Sequence, residues 1–137
     1  SWGGVEMVEI AGKWEVELQE LSEEEREEFL EELGRRDSGL ERLTQACYRA
    51  FDRITFFTVG ADEVRAWSVP RGAKAPRAAR AIHSDMERGF IRAEVMKFAD
   101  WRECRDERKL KERGKYYLKG KDYVVEDGDI LKILFSV

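Results

Sequence analysis

Arg71, Lys74, Arg77, Arg80, Arg88 and Arg92 set six cations along one stretch of chain, where their summed charge could attract a phosphate backbone. Trp67 and Phe90 lie in the same stretch and offer rings on which a base could stack. Arginines at three-residue spacing also solvate an ordinary helix face, so charge alone leaves both readings open. His83, with Asp85 two positions on, has the types for proton transfer. Beside Ser84 at a helix end, a structural hydrogen bond or cap is the commoner use of such a histidine. Asp127-Gly128-Asp129 places two carboxylates around a turn glycine but lacks the further oxygen ligands that calcium takes, and reads as a turn. Cys47 and Cys104 stand apart, with no Cys-x-x-Cys pair and no histidine cluster, so reduced thiols and no metal site are expected. Hydrolysis at a phosphate-cradling loop needs G-x-x-x-x-G-K-[ST], and the sequence has none: Gly3-Gly4 and Gly34 are isolated. No catalytic set is expected.

Elements must hold these residues in place. Ile54–Val59 and Val64–Val69 are rich in β-formers and flank Gly60-Ala61-Asp62-Glu63, which predicts a β-hairpin. Pro70 and Gly72 end it, and Pro76–Ile82 predicts a short alanine-rich helix with proline tolerated in its first turn. Phe90–Phe98 resumes strand character, with Phe90 or Ile91, Ala93, Val95 and Lys97 competing for the two faces. Asp100 with Glu103 predicts a capping box opening a polar helix that ends at Gly114, anchored by Trp101, Cys104 and Leu110. Tyr123–Val125 and Ile130–Val137 are expected as two last strands around the turn Glu126–Asp129. Ile130–Phe135 is nearly all apolar, which predicts a central strand buried on both faces. The order β-β-α-β-α-β-β predicts an α+β fold with a mixed sheet, and a helix crossing between paired strands suggests a β-grasp, the ubiquitin-like arrangement.

Upstream, Val5–Leu18 alternates loosely and reads as a strand interrupted at Ala11-Gly12-Lys13. Ser22 with Glu25, and Ser38 with Glu41, are two capping boxes, which predict a helical hairpin over residues 22–52. The first helix has a thin apolar face of Phe29, Leu30 and Leu33; the second uses Leu40, Leu43, Cys47 and either Phe51 or Ala50. The acidic run from Ser22 to Glu32 complements a helix dipole at its start and reads as a solvated face, or as a contact for a basic partner.

The 137 residues suffice for one ordinary core, or for a small domain with an appendage. Residues 1–53 hold 7 Lys+Arg against 15 Asp+Glu, whereas residues 54–137 hold 18 against 14, so the two parts are expected to be separate domains with different partners. No run approaches the roughly 20 apolar residues of a membrane span, and Ser1-Trp2-Gly3-Gly4 has no signal core, so a soluble, cytoplasmic protein without membrane partners is expected.

Residue order carries more than composition. Ile54-Thr55-Phe56-Phe57-Thr58-Val59-Gly60, Glu63-Val64-Arg65-Ala66-Trp67, Lys74-Ala75-Pro76, Ile82-His83-Ser84-Asp85, Arg88-Gly89-Phe90-Ile91-Arg92-Ala93-Glu94-Val95 and Gly120–Ile130 together resemble the TGS domain (named for threonyl-tRNA synthetases, GTPases and the SpoT enzymes) at the carboxyl end of YchF, or Obg-like, ATPases. Ile10–Leu21 is similar to the last strand segment of that family's nucleotide-binding domain, where a Ser/Cys-Ala-Lys motif contacts the base. The helices after it match those leading to the TGS domain. The chain departs from the family at Gly12, Trp14, Arg35-Arg36-Asp37 and Arg105, and its 105–117 stretch is more basic.

The resemblance implies a β-grasp TGS domain over 54–137, preceded by a remnant of the nucleotide-binding domain over 1–53. It implies ATP or GTP with Mg²⁺ as cofactors of the parent, with none for this chain. Ala11, Gly12 and Lys13 are then a residual base-contact motif, Lys13 packing its stem on a purine, or else Lys13 is a plain surface lysine. The resemblance further implies RNA or ribosome binding by the TGS part, with Arg71, Lys74, Arg77, Arg80, Arg88 and Arg92 as the candidate surface. In the alternative, that part docks on the parent nucleotide-binding domain and regulates it without touching RNA.

Overall fold

The computed structural model describes residues 6–60 and 63–136, which divide into two units, Ser1–Phe51 and Asp52–Val137. The first unit is three helices, α1 (Gly12–Glu20), α2 (Glu23–Glu32) and α3 (Gly39–Ala50). Both expected capping boxes form: Ser22 Oγ accepts from Glu25 N–H and Ser38 Oγ from Glu41 N–H, while each glutamate accepts from its cap's backbone N–H. Leu18 and Leu30 are buried, but the predicted apolar face of α3 is open, with Leu40 and Leu43 exposed.

The expected strand before this hairpin is corrected. Gly12–Glu20 is a helix, residues 6–11 have no regular structure, and Val5 lies outside the described residues. Trp14 and Leu18, read as alternate strand positions, are also four apart and share a helix face. Glu15 tips the balance, since Oε1 accepts from Gly39 N–H at 2.6 Å and Oε2 from Leu40 N–H at 3.1 Å, satisfying the free donors that open α3.

In the second unit β1 (Arg53–Val59) and β2 (Val64–Pro70) form the predicted hairpin, closed by Gly60 N–H donating to Glu63 O. The expected turn's Ala61 and Asp62, and Val137 at the far end, lie outside the described residues. There follow α4 (Ala75–Ile82), a short α5 (Ser84–Arg88) that the sequence pattern did not predict, and β3 (Phe90–Lys97). Then come α6 (Phe98–Cys104), α7 (Glu107–Glu112), β4 (Tyr116–Lys119) and β5 (Asp129–Phe135). The sheet order is β2-β1-β5-β3-β4, with β5 parallel to β1 and antiparallel to β3. The last strand is central, as expected. Its Ile130 and Leu131 are buried on opposite faces, while Lys132 and Phe135 are exposed, so burial on both faces holds for its first half.

Two expectations in the second unit need correction. The single polar helix from Asp100 to Gly114 is two helices: Arg105 takes a left-handed conformation (φ 48°), and Asp106 caps α7 through Arg108 and Lys109 N–H. Asp100 caps nothing and instead pairs with Lys115. The fourth strand is Tyr116–Lys119 and not Tyr123–Val125, which makes only the bridge Lys74↔Val124. Residues 123–125 spend their backbone groups on the entry to α4, Ala75 N–H donating to Tyr123 O and Val125 N–H to Ala73 O.

Alternation puts Ile54, Phe56, Val69, Ala93, Val95 and Leu131 on one face, packed against Ala75, Ala78 and Ala79 of α4. Alanine allows this close approach, and burying Phe56 or Leu131 contributes roughly 1.5–3 kcal/mol each. On the other face Met96 and Ile130 meet Leu110 of α7, with Phe57, Trp101 and Tyr116 at the margin.

Candidate functional site

The buried alanines of α4 turn Arg77 and Arg80 outward, with Lys74 at the N-cap on the same approach. The sequence candidates beyond this helix are not all brought together. Arg92 lies one position from Ala93, whose side chain faces α4, so Arg92 falls on the opposite face of the sheet. A register shift between Phe90 and Arg92 produces this, and it turns Phe90 inward at 4% exposure, so Phe90 is a core residue and not a stacking platform. Trp67 is half-buried, its Nε1–H donating to Thr58 Oγ1 and Arg65 lying over its ring.

Charge in this region is locally balanced. Arg71 pairs with Asp52 at 2.9 Å, Lys74 with Asp122 at 2.8 Å, Arg80 with Glu87 at 3.1 Å, and Arg88 with Asp85. Lys74 holds the Asp122 carboxyl below its ordinary value by a hydrogen bond and by attraction. Arg77 and Arg92 have no carboxylate within 4.0 Å among the described residues. His83 has the structural role expected, Nδ1 accepting from Asp85 N–H at 3.2 Å as the cap of α5.

A cluster invisible to sequence reading lies at the far end of β3. Asp129, expected as a turn residue, has a fully buried carboxylate: Oδ1 accepts from Lys97 Nζ at 2.7 Å, and Oδ2 from Tyr123 O–H at 2.7 Å and Glu126 N–H at 2.9 Å. Lys97 also meets Glu126 Oε2 at 3.0 Å. Burial works against the Lys97 charge, yet the hydrogen bonds to Asp129, Glu126 and Tyr123 outweigh it and raise the ammonium pKa above its ordinary value. The Tyr123 phenol is pushed up to about 12, by burial first and then by its bond to Asp129. In both groups folding favours the protonated form. Their contribution is therefore whole below about pH 10, where the unfolded groups begin to titrate, and is lost as pH rises through the folded values. Urea unfolding between about pH 8 and pH 11 is expected to show a smaller stability loss for Tyr123→Phe than for the wild type; equal losses would refute this assignment.

Ala11, Gly12 and Lys13 form the cap and first turn of α1. Lys13 is exposed, and among the described residues a Cβ added at Gly12 would meet nothing within 4 Å. Among the described residues no group of three His, Cys, Asp or Glu side chains could hold a metal ion. One lysine and two backbone positions do not make a nucleotide and Mg²⁺ site. Among the described residues no helix is long and apolar enough to cross a membrane.

A five-stranded mixed sheet with helices on both faces, presenting cations and rings at its surface, defines an α+β domain of the second unit. Residues 53–136 match the family model YchF-GTPase_C, described as "Protein of unknown function (DUF933)", and the chain belongs to that family. It is 46% identical over 134 residues to the protein named Ribosome-binding ATPase YchF of Escherichia coli O157:H7, covering 98% of this chain and 37% of that protein. Against its Bacillus subtilis (strain 168) namesake the identity is 47% over 132 residues, covering 96% and 36%. Against Obg-like ATPase 1 of Homo sapiens it is 46% over 133 residues, covering 97% and 33%. The chain thus spans about a third of the length of the relatives it matches, and carries their carboxyl-terminal domain. The solved structure of the Schizosaccharomyces pombe YchF GTPase superposes with a TM-score of 0.80 at 37% identity, over 96% of this chain and 34% of that one.

Proposed function

We propose that this chain is the ribosome- or RNA-contacting end of a YchF-type ATPase, with residues 54–137 a TGS domain of β-grasp type and residues 1–53 a remnant of the nucleotide-binding domain. The observation that carries the reading is 46% identity, across 98% of the chain, to a protein named a ribosome-binding ATPase. ATP or GTP with Mg²⁺ belongs to the parent; the base-contact role of Ala11, Gly12 and Lys13 stands only with the rest of that pocket. The outward face of α4 is the contact surface in this reading, Lys74, Arg77 and Arg80 meeting phosphates with Arg71 and Arg88 beside them. Arg92 belongs to it only if the partner reaches around the sheet. Exposed pairs such as Lys74–Asp122 are weak and can exchange a carboxylate for a phosphate.

The test is sedimentation of the chain with ribosomes, and RNA binding, over a salt series. The triple change Lys74→Ala, Arg77→Ala, Arg80→Ala is expected to weaken association and to flatten the log K against log salt slope by about 2, for three phosphate contacts on single-stranded RNA. Unchanged binding removes this face from the reading.

A second reading is favoured by the local charge balance around α4, where Arg71, Lys74, Arg80 and Arg88 already have carboxylate partners. In it the part over 54–137 docks on the parent nucleotide-binding domain and sets its turnover without touching RNA. A separately made nucleotide-binding domain would then bind this chain and change rate on doing so.

A further inference from the structure

We propose that the free edge of β4, with the turn and helix before it, binds single-stranded RNA, a base stacking on Tyr117 and phosphates meeting Lys119 and Lys121. The inference rests on the reading of the chain as an RNA-contacting unit, but assigns the contact to a different surface from α4.

Residues 105–121 hold eight Lys or Arg against three Asp or Glu. Among the described residues only Lys115 of these eight has a carboxylate oxygen within 4.0 Å, its partner being Asp100. This contrasts with α4, where Lys74 and Arg80 are paired. Unpaired cations carry condensed anions or phosphates at least cost, because no ion pair must first be broken.

Rings are interleaved with the charges. Among the described residues β4 pairs only with β3, and the register Val95↔Tyr117 and Ala93↔Lys119 places Tyr117 and Lys119 on the face that carries α4. Lys119 Nζ lies 5.4 Å from the Tyr117 ring centroid and 5.3 Å from that of Tyr123. A shallow cavity of about 130 Å³ opens there, lined by both rings with Lys97, Lys119 and Glu126. Lys97 is committed to Asp129 and neutralises Glu126, which leaves Lys119 as the cation that an incoming anion meets. Tyr123 is held rigidly through its O–H to Asp129, whereas Tyr117 stands at the surface. On the other face Lys111 lies 4.4 Å from the Tyr116 centroid, so the pattern continues around the edge.

The combination selects the ligand. A duplex engages the lysines but keeps its bases stacked on one another, and an acidic peptide without aromatic residues has no planar ring to lay on Tyr117; unpaired bases on a phosphate backbone use both. Lysines on a free edge also prevent pairing with another strand, but that needs charge alone and not the rings.

The test is fluorescence anisotropy of the full chain with a labelled single-stranded RNA of about 12 nucleotides, the same sequence as a duplex, and polyglutamate. Tyr117→Ala is expected to weaken single-strand binding about tenfold and to leave duplex binding unchanged, with Tyr117→Phe restoring it. Lys119→Ala with Lys121→Ala should flatten the salt slope by roughly 1.4. The proposal is overturned if Tyr117→Ala binds as the wild type does, or if duplex or polyglutamate binds as tightly as the single strand. A wild-type chain that binds no RNA overturns the RNA reading as a whole. Binding that depends on Lys74, Arg77 and Arg80, and not on Tyr117 and Lys119, overturns this proposal alone.

Discussion

Lys97→Met is expected to cost the second unit about 3–5 kcal/mol, read as a lower midpoint in urea unfolding at unchanged slope. The cost comes from what is left behind. Asp129 has no exposed side-chain surface, and among the described residues Lys97 Nζ is the one ammonium on its carboxylate. Methionine fills similar volume without charge, so the carboxylate keeps only its two neutral donors, Tyr123 O–H and Glu126 N–H, and must either stay ionised in a dry site or take up a proton. The reverse change, Asp129→Asn, is expected to cost less. An amide oxygen still accepts from Tyr123 O–H and Glu126 N–H, and Lys97 is a third exposed, with Glu126 still beside it. The double variant Lys97→Met, Asp129→Asn should therefore be more stable than Lys97→Met alone. If it is not, lost packing and not the stranded charge is responsible.

That cluster marks the limit of what the sequence made legible. Capping boxes at Ser22 and Ser38 were readable because all their chemistry lies within three residues. The same is true of the β1–β2 hairpin and of α4, whose proline and alanines state their positions locally. Failures came where a distant partner decides. For α1 the arbiter was Glu15, reaching the start of α3. Strand β4 is a polar edge whose identity rests on pairing with β3, and Tyr123–Val125 has strand composition but gives its backbone to residues 73–75. Asp129 looked like a turn carboxylate until folding brought Lys97 to it. All six candidate cations are exposed, but sequence is silent about their partners and faces, so Arg92 stands beside Arg77 in the chain although the sheet separates them. Phe90 failed for the same reason, since a register shift and not its residue type decided which way it faces.

Gly89→Ala is expected to destabilise the second unit by about 1–3 kcal/mol, as overpacking against a surface that cannot rotate away. Its backbone is ordinary (φ −88°), so alanine meets no conformational penalty there. Space is what is missing. A Cβ would lie 2.1 Å from Ser136 O and 2.8 Å from Ser136 C, and both are backbone atoms. Ser136 N–H donates to Gly89 O at 2.9 Å, and the adjoining residues Phe90 and Phe135 are paired across β3 and β5, so the end of the central strand must shift to admit a methyl group. Gly120→Ala is the control: nothing lies within 4 Å of its added Cβ, and its effect should stay within about 0.5 kcal/mol. Hydrogen exchange separates a local response from a global one. Loss of protection confined to Ser136 means that the chain end frays to relieve the clash, whereas loss spreading through Ile133 and Leu134 means that β5 itself gives way. Because β5 joins the β1–β2 hairpin to β3 and β4, the second outcome is expected, with the Gly89→Ala midpoint falling accordingly. Equal stability of the Gly89→Ala and Gly120→Ala variants would show that this contact does not hold the strand.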